Sequence, residues 1–233
     1  MLQVAESRII TDVRVAIDEN TTVAAFTDAE GNTFDPDTLE MEEIIKSKIA
    51  DGVNEVRMIA HISMLESTRS VSGTDMTVVW TDEVKGIGEV ALPSDYLKLV
   101  MFKMSDWAHA VSVAISPDSP LYHQQFSRWK GVRGNPSRPV IAFATSMQTG
   151  KSVIQFFSCD STEATAEMTY IKRCQGSISD DEHEEAYYEI ENPIYRAVVL
   201  KTASLVAAAY GNTDMMSLLN NMALQETGNI QTT

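Results

Sequence analysis

The chain begins with a helical rhythm. Between Glu6 and Asn20 the apolar residues Ile9, Ile10, Val13, Ala16 and Ile17 recur at three-and-four spacing, which predicts a helix with one buried face. A polar stretch from Thr21 to Phe34, with the turn signal Glu30-Gly31-Asn32, reads as a connection that allows a short hairpin. Asp35-Pro36-Asp37-Thr38 then starts a second helix. An Asp or Thr supplies its capping oxygen, Glu40 follows Asp37 by one capping-box interval, and Met41, Ile44, Ile45, Ile49, Val53, Val56 and Ile59 or Ala60 form its apolar stripe. Gly52 weakens this helix slightly.

From Val71 to about Tyr188 the pattern changes to short β-favouring runs separated by Gly, Pro, Asp and Ser. Candidate strands are Met76 to Trp80, Glu89 to Leu92, Leu97 to Met104, Ala110 to Ile115, Val140 to Ala144, Val153 to Cys159 and Ala166 to Tyr170. Asn192-Pro193 restores a helix, because Asn caps and Pro fits a first helical position that needs no amide hydrogen. That helix runs Ile194 to Tyr210, apolar nearly all round and rich in alanine, and so belongs at the centre of a bundle. Gly211 stops it. Thr213 or Asp214 caps a last amphipathic helix carrying Met215, Leu218, Leu219, Met222 and Ala223, and Thr227 to Thr233 is a polar tail. The expected fold class is α+β: a helical bundle from residues 1–70 and 189–233, with residues 71–188 inserted as an antiparallel β-sandwich or barrel-like module.

At 233 residues, 44% hydrophobic and 22% charged, the chain has the composition of a folded protein with a substantial core. No apolar stretch reaches the ~20 residues of a bilayer crossing, so no membrane partner is expected. The N-terminus MLQVAESRIITDVR places acids and an Arg where a secretory leader needs an apolar core, which favours a reducing compartment and free thiols at Cys159 and Cys174. Charge narrows the function further. With 18 Lys and Arg against 33 Asp and Glu, the net charge of -15 repels a phosphate backbone and disfavours a groove-reading nucleic-acid binder.

Two segments concentrate charge. SDDEHEEAYYEIE, Ser179 to Glu191, gathers seven carboxylates around His183. SRWKGVRGNPSRP, Ser127 to Pro139, carries Arg128, Lys130, Arg133 and Arg138 with no acid, and is expected to be exposed and mobile. Arg128, Trp129, Lys130 and Arg133 could stack a base or hold a phosphate, but on so acidic a chain they better suit docking on an acidic neighbour.

Other candidate chemistry is thin. TGKS, Thr149 to Ser152, lacks the first glycine of a phosphate loop, since position 145 is Thr145, and it leads into a strand-like run, so it reads as a hairpin turn. The acidic run lacks the spacing that wraps carboxylates around one calcium ion, and reads as a solvated face. No nucleophile elbow accompanies His61, His109, His123 or His183, so no catalytic residue is expected. Cys159 ends an apolar run and reads as core, while Lys172-Arg173 would make Cys174 somewhat reactive.

The stretch GEVALPSDYLKLVMFKMSDW, Gly88 to Trp107, carries a leucine-proline-acid-aromatic segment that follows the long second helix. Around it stand the N-terminal helices, Ile9 to Ile17 and Glu40 to Leu65, the β-rich insertion, and the closing NPIYRAVVLKTASLVAAAYGNTDMM. In this order, over most of its length, the chain resembles the head-to-tail adaptor, connector or neck ring proteins of short-tailed bacteriophages, closest in flavour to the ring proteins of crAss-like phages. The cationic Trp129 loop and the acidic run before Asn192 depart from that pattern. The resemblance implies a non-enzymatic virion protein without cofactor or metal: a homo-oligomeric ring, a dodecamer, beneath the portal and joining capsid to tail. The implied partners are the portal protein and the next tail or ring protein, and the implied place is the virion neck after assembly in the host cytoplasm. DNA would pass through the lumen without sequence-specific binding, and carboxylates facing it would give the genome no sticking point. Two alternatives stand beside this: a metal-dependent acidic hydrolase using Asp180, Asp181, Glu182 and His183, or another collar or tail-tube component.

Overall fold

The computed structural model describes residues 1–17, 26–27, 33–34, 36–71, 76–129, 131–146, 149–180 and 185–228, with the backbone alone for 26–27, 33–34, 36–40 and 68–71. In chain order the elements are β1 (Leu2–Ala5), α1 (Glu6–Ala16), β2 (Phe26–Thr27), β3 (Thr33–Phe34), α2 (Pro36–Ile59), β4 (Thr68–Val71), β5 (Val78–Asp82), β6 (Ile87–Ala91) and β7 (Tyr96–Met104). There follow α3 (Pro120–Gln124), β8 (Val140–Thr145), β9 (Ser152–Phe157), β10 (Ala166–Lys172), β11 (Tyr187–Ile190), α4 (Tyr195–Ala209) and α5 (Thr213–Gly228). The fold is α+β, with N- and C-terminal helices packed together and antiparallel sheets between them in sequence. Two compact units result, residues 1–66 with 173–233, and residues 67–172.

The first unit is built around α4, which packs against α1, α2 and α5. Its buried residues, among them Ala197, Val198, Leu200, Ala203, Val206 and Ala207, nearly encircle it, as a helix central to a bundle requires. The stripe of α2 is buried at Met41, Ile45, Ile49, Val53 and Val56, and Ala60 rather than Ile59 completes it. A Cβ on Gly52 would lie 2.3 Å from Thr202 Oγ1 and 3.3 Å from Thr202 Cα, so the missing side chain sets how closely α2 approaches α4. Lys201 ties three helices together, meeting Glu55 of α2 and Asn220 of α5 at 2.7 Å each.

Helix ends differ from expectation in instructive ways. The expected Asn192 cap does not form. A 3-10 turn, Asn192–Ile194, precedes α4, and no side chain caps it. At the far end, Gly211 takes the left-handed conformation, and the amides of Gly211 and Asn212 bond the carbonyls of Ala208 and Ala207, a Schellman stop. Asn212, not Thr213 or Asp214, then caps α5, its Oδ1 accepting from the Met215 amide at 3.1 Å. The helix runs on through Gly228, with Glu226 paired to Arg196 and Thr227 buried, so the polar tail starts later than Thr227. Asp37, Thr38 and Glu40 lie within α2, with only their backbone described, while Asp35 and the Glu30-Gly31-Asn32 turn lie outside the described residues. The strands on either side of that turn pair antiparallel, Phe26 opposite Phe34.

In the second unit the sheets β5-β6-β9-β8 and β4-β10-β7 are antiparallel. One core lies between them, to which Val90, Ile141, Ile154 and Phe156 contribute from the first and Leu99, Phe102, Met104, Met168 and Tyr170 from the second. This is the sandwich arrangement, with both inner faces supplying alternate residues. Trp80 meets Phe156 edge-on at 5.3 Å, and Phe102 stacks on Phe156 at 6.3 Å. The segment ALPSDYLKL is the corner that carries the chain from β6 in one sheet to β7 in the other. The Tyr96 amide closes its turn on the Pro93 carbonyl, and Asp95 accepts from the Tyr170 hydroxyl at 2.9 Å.

The strand expected over Ala110 to Ile115 does not form. Val111 makes a two-way bridge with Phe102 on β7, and the Ile115 amide bonds the Ile141 carbonyl on β8. β7 and β8 are edges of different sheets, so this β-favouring segment passes from one edge to the other instead of extending either.

The Gly52 contact yields a prediction. Gly52→Ala overpacks the α2–α4 contact, and a cost of about 1–3 kcal/mol outweighs the ~1 kcal/mol gain in helix propensity. Thr202→Ala in the same chain removes the obstructing hydroxyl and recovers most of the loss. Urea unfolding of the parent, the single and the double variant measures both steps.

Candidate functional site

The cationic loop is built on a pinned backbone. Ser119 caps α3, Pro120 opens it, and Tyr122 and Phe126 pack edge-on against Phe157. Gln125, 4% exposed, accepts from the Gly134 amide at 2.8 Å while its amide donates to the Leu121 carbonyl. The Asn135 side chain accepts from the amides of Ser137 and Arg138, and the Ala108 amide holds the Pro136 carbonyl. From this frame Trp129 stands 63% exposed, with the Arg128 guanidinium 4.9 Å from its ring centre.

The four residues expected at an interface therefore do not share one role. Arg128 and Trp129 are presented outward together. Arg133 is half-buried with its Nη1 sealed from solvent, and it lies near enough to Asp82 to help Lys85 hold that carboxyl below its usual range. Lys130 lies outside the described residues.

The acidic run is split by the fold. Asp180 accepts from the Tyr187 hydroxyl and Glu185 from the Ser7 hydroxyl, both at the surface, whereas Tyr187, Tyr188 and Ile190 are buried on β11, which pairs with β1. Glu191 is 2% exposed and meets Arg57 of α2, itself 4% exposed, at 3.0 Å. Arg57 also donates to the Glu189 carbonyl at 2.9 Å. One turn earlier, Asn54 donates to the Cys174 carbonyl and accepts from its amide, at 2.9 and 2.8 Å. Sequence reasoning missed Arg57 and Asn54, because a charged or amide residue beside an apolar stripe reads as solvated. The spacing of Asn54 and Arg57 beside the stripe residues Val53 and Val56 was the only signal.

A groove of about 390 Å³ lies among α1, the start of α2 and residues 185–186. Within it Lys46 faces Glu6 at 3.6 Å and Arg14 faces Glu42 at 3.2 Å, while Glu185 takes the Ser7 hydroxyl at 2.7 Å. Among the described residues no three His, Cys, Asp or Glu side chains gather as a metal site. Of the hydrolase candidates, Asp180 is engaged by Tyr187, and Asp181, Glu182 and His183 lie outside the described residues.

TGKS lies at the end of the β8–β9 connection, where Thr145 faces Ser152 across an antiparallel ladder and the Ser146 amide bonds the Lys151 carbonyl. Cys159 is core, and burial pushes its thiol far up. Cys174 is not the reactive thiol expected of it: burial raises its thiol more than the Gly176 backbone and the neighbouring Arg57 lower it, so it stays protonated at neutral pH.

Two predictions arise here. Gln125→Ala leaves the Gly134 amide without its acceptor and costs about 1–3 kcal/mol, seen in urea unfolding and in faster amide exchange at Gly134, whereas Arg128→Ala stays within about 0.5 kcal/mol of the parent. The second concerns alkaline pH. Burial holds Tyr96 and Tyr188 up at about 12 against an ordinary 10.0, so between those values the unfolded chain releases protons that the folded chain retains. Stability then falls as pH rises through that window. A denaturation midpoint that declines there in the parent, and declines less with Tyr96→Phe and Tyr188→Phe, is the expected result.

Among the described residues no helix is long and apolar enough to cross a membrane. No protein-family model matches the chain. A search of curated proteins returns no match either.

Proposed function

We propose that this protein is a structural ring component of a virion neck, connecting a capsid to a tail and leaving a central passage for DNA. The observation that carries the reading is the bundle itself: helices from both ends of the chain pack around α4, and an antiparallel β unit is inserted between them in sequence. This is the order implied by the resemblance to head-to-tail adaptors of short-tailed phages.

The charge supports the same reading. A chain at -15 presents DNA with few cations to exchange for condensed counterions, so a genome could slide past it. The outward Arg128–Trp129 corner supplies what assembly needs, an aromatic and cationic anchor on an otherwise acidic molecule. In this reading the chain carries out no reaction, and its partners are further copies of itself, the portal protein and the next tail or ring protein.

Electron microscopy of the purified protein mixed with portal tests this directly. A closed ring with rotational symmetry and an open centre, stacked on the portal, is the expected image. Portal rings that remain bare while the protein stays dispersed would overturn the proposal.

A further inference from the structure

We propose that the groove on the α1 side of one copy is the seat for the Arg128–Trp129 corner of a second copy, an inference that rests on the ring reading above. The two surfaces match in chemistry. The groove sets Ile10 and Ala186 among charged and hydroxyl side chains and has a volume of about 390 Å³, within the range of about 300–1,000 Å³ usual for sites that take a compact ligand. An amphipathic group, an indole with a cation stacked on it, matches such a mixed lining.

Charge selects the occupant. Glu6 and Glu42 already face Lys46 and Arg14, but Glu185 is exposed and meets the neutral Ser7 hydroxyl, so its negative charge is available to an incoming cation. Arg128, stacked over Trp129, brings a guanidinium able to bond a carboxylate through two parallel N–H groups. The loop around it contains no acid that would oppose this approach, and its far side is held at Gly134 and Ser137, which lowers the ordering entropy lost on docking. Both anchors belong to the residue types that dominate binding energy at protein interfaces.

The geometry has a consequence for assembly. Loop and groove are different surfaces, so each copy gives its loop to one neighbour and its groove to another. Such heterologous contacts build closed rings or open filaments, whereas a two-fold dimer would need one surface that matches itself.

Two experiments on the full chain test the contact. Val132→Cys protein, which keeps both anchors and places a thiol at the exposed residue whose amide bonds the Trp129 carbonyl, is mixed with Ser7→Cys protein and oxidised. The mixture should give disulfide-linked dimer at about ten times the yield of either variant alone, since a weak complex is enough to raise the local thiol concentration. Equal yields in the three samples overturn the proposal. Separately, Arg128→Glu and Glu185→Arg should each weaken self-association about tenfold in sedimentation, and the two together in one chain should restore it, as a charge swap across a true contact does. Loss in the single variants without recovery in the double overturns it. So does quenching of Trp129 fluorescence by single-stranded DNA at physiological salt that Arg128→Glu abolishes, because the corner would then be a nucleic-acid contact. Rings on the portal without the cross-link remove this contact and leave the ring reading standing, whereas bare portal rings remove the ring reading itself.

Discussion

The helical unit depends on one buried ion pair. Arg57 and Glu191 are 4% and 2% exposed and 3.0 Å apart, and they join the last turn of the chain's longest described helix to the segment that leads into α4. Stranding either charge would cost about 3–5 kcal/mol, while an apolar pair of the same shape serves stability as well, so what the pair adds is register. The guanidinium fits where it meets both the Glu191 carboxylate and the Glu189 carbonyl. With Asn54 gripping both backbone groups of Cys174 one turn away, α2 holds the returning chain at two points. A bundle assembled from residues more than a hundred positions apart needs such polar fixtures, because apolar stripes slide against one another at little cost.

The β unit solves a different problem. Its two sheets expose strand edges that could pair with other chains, and the segment from Val111 to Ile115 occupies one edge of each in turn. Aromatic contacts among Trp80, Phe102, Trp107 and Phe156 fill the space between the sheets. On the outer face, Tyr122 and Phe126 cover Phe157, and the cationic loop begins directly after them. The same packing that seals the sheet therefore fixes the base from which Arg128 and Trp129 project.

Charge links architecture to function. In the proposed ring, an excess of carboxylates would keep copies apart at a distance and favour only contacts that bring opposite charge into register. In that reading the exposed Arg128–Trp129 corner is the means of choosing one mode of association among many. The burial that protonates Cys159 and Cys174 removes reactive thiols from that surface.

Periodicity alone determined much of this protein: helices at both ends, a strand-rich middle, the alanine-rich helix at the bundle centre, and the hairpin around Gly150. These follow from local rules, since apolar spacing and turn residues report which face of an element is buried. What only the tertiary structure decided involves residues whose meaning depends on a distant partner. Arg57 and Glu191 read as solvated charges until they meet, Gly52 reads as a flaw until Thr202 packs against it, and Ala110 to Ile115 reads as a strand until two sheet edges claim it. β1 was too short to announce itself, and it exists because β11 lies beside it. Arg133 and Arg128 carry the same charge in the same loop, yet one is drawn inward and the other faces out, because side-chain burial is set by the space the fold leaves and not by the residue's own chemistry.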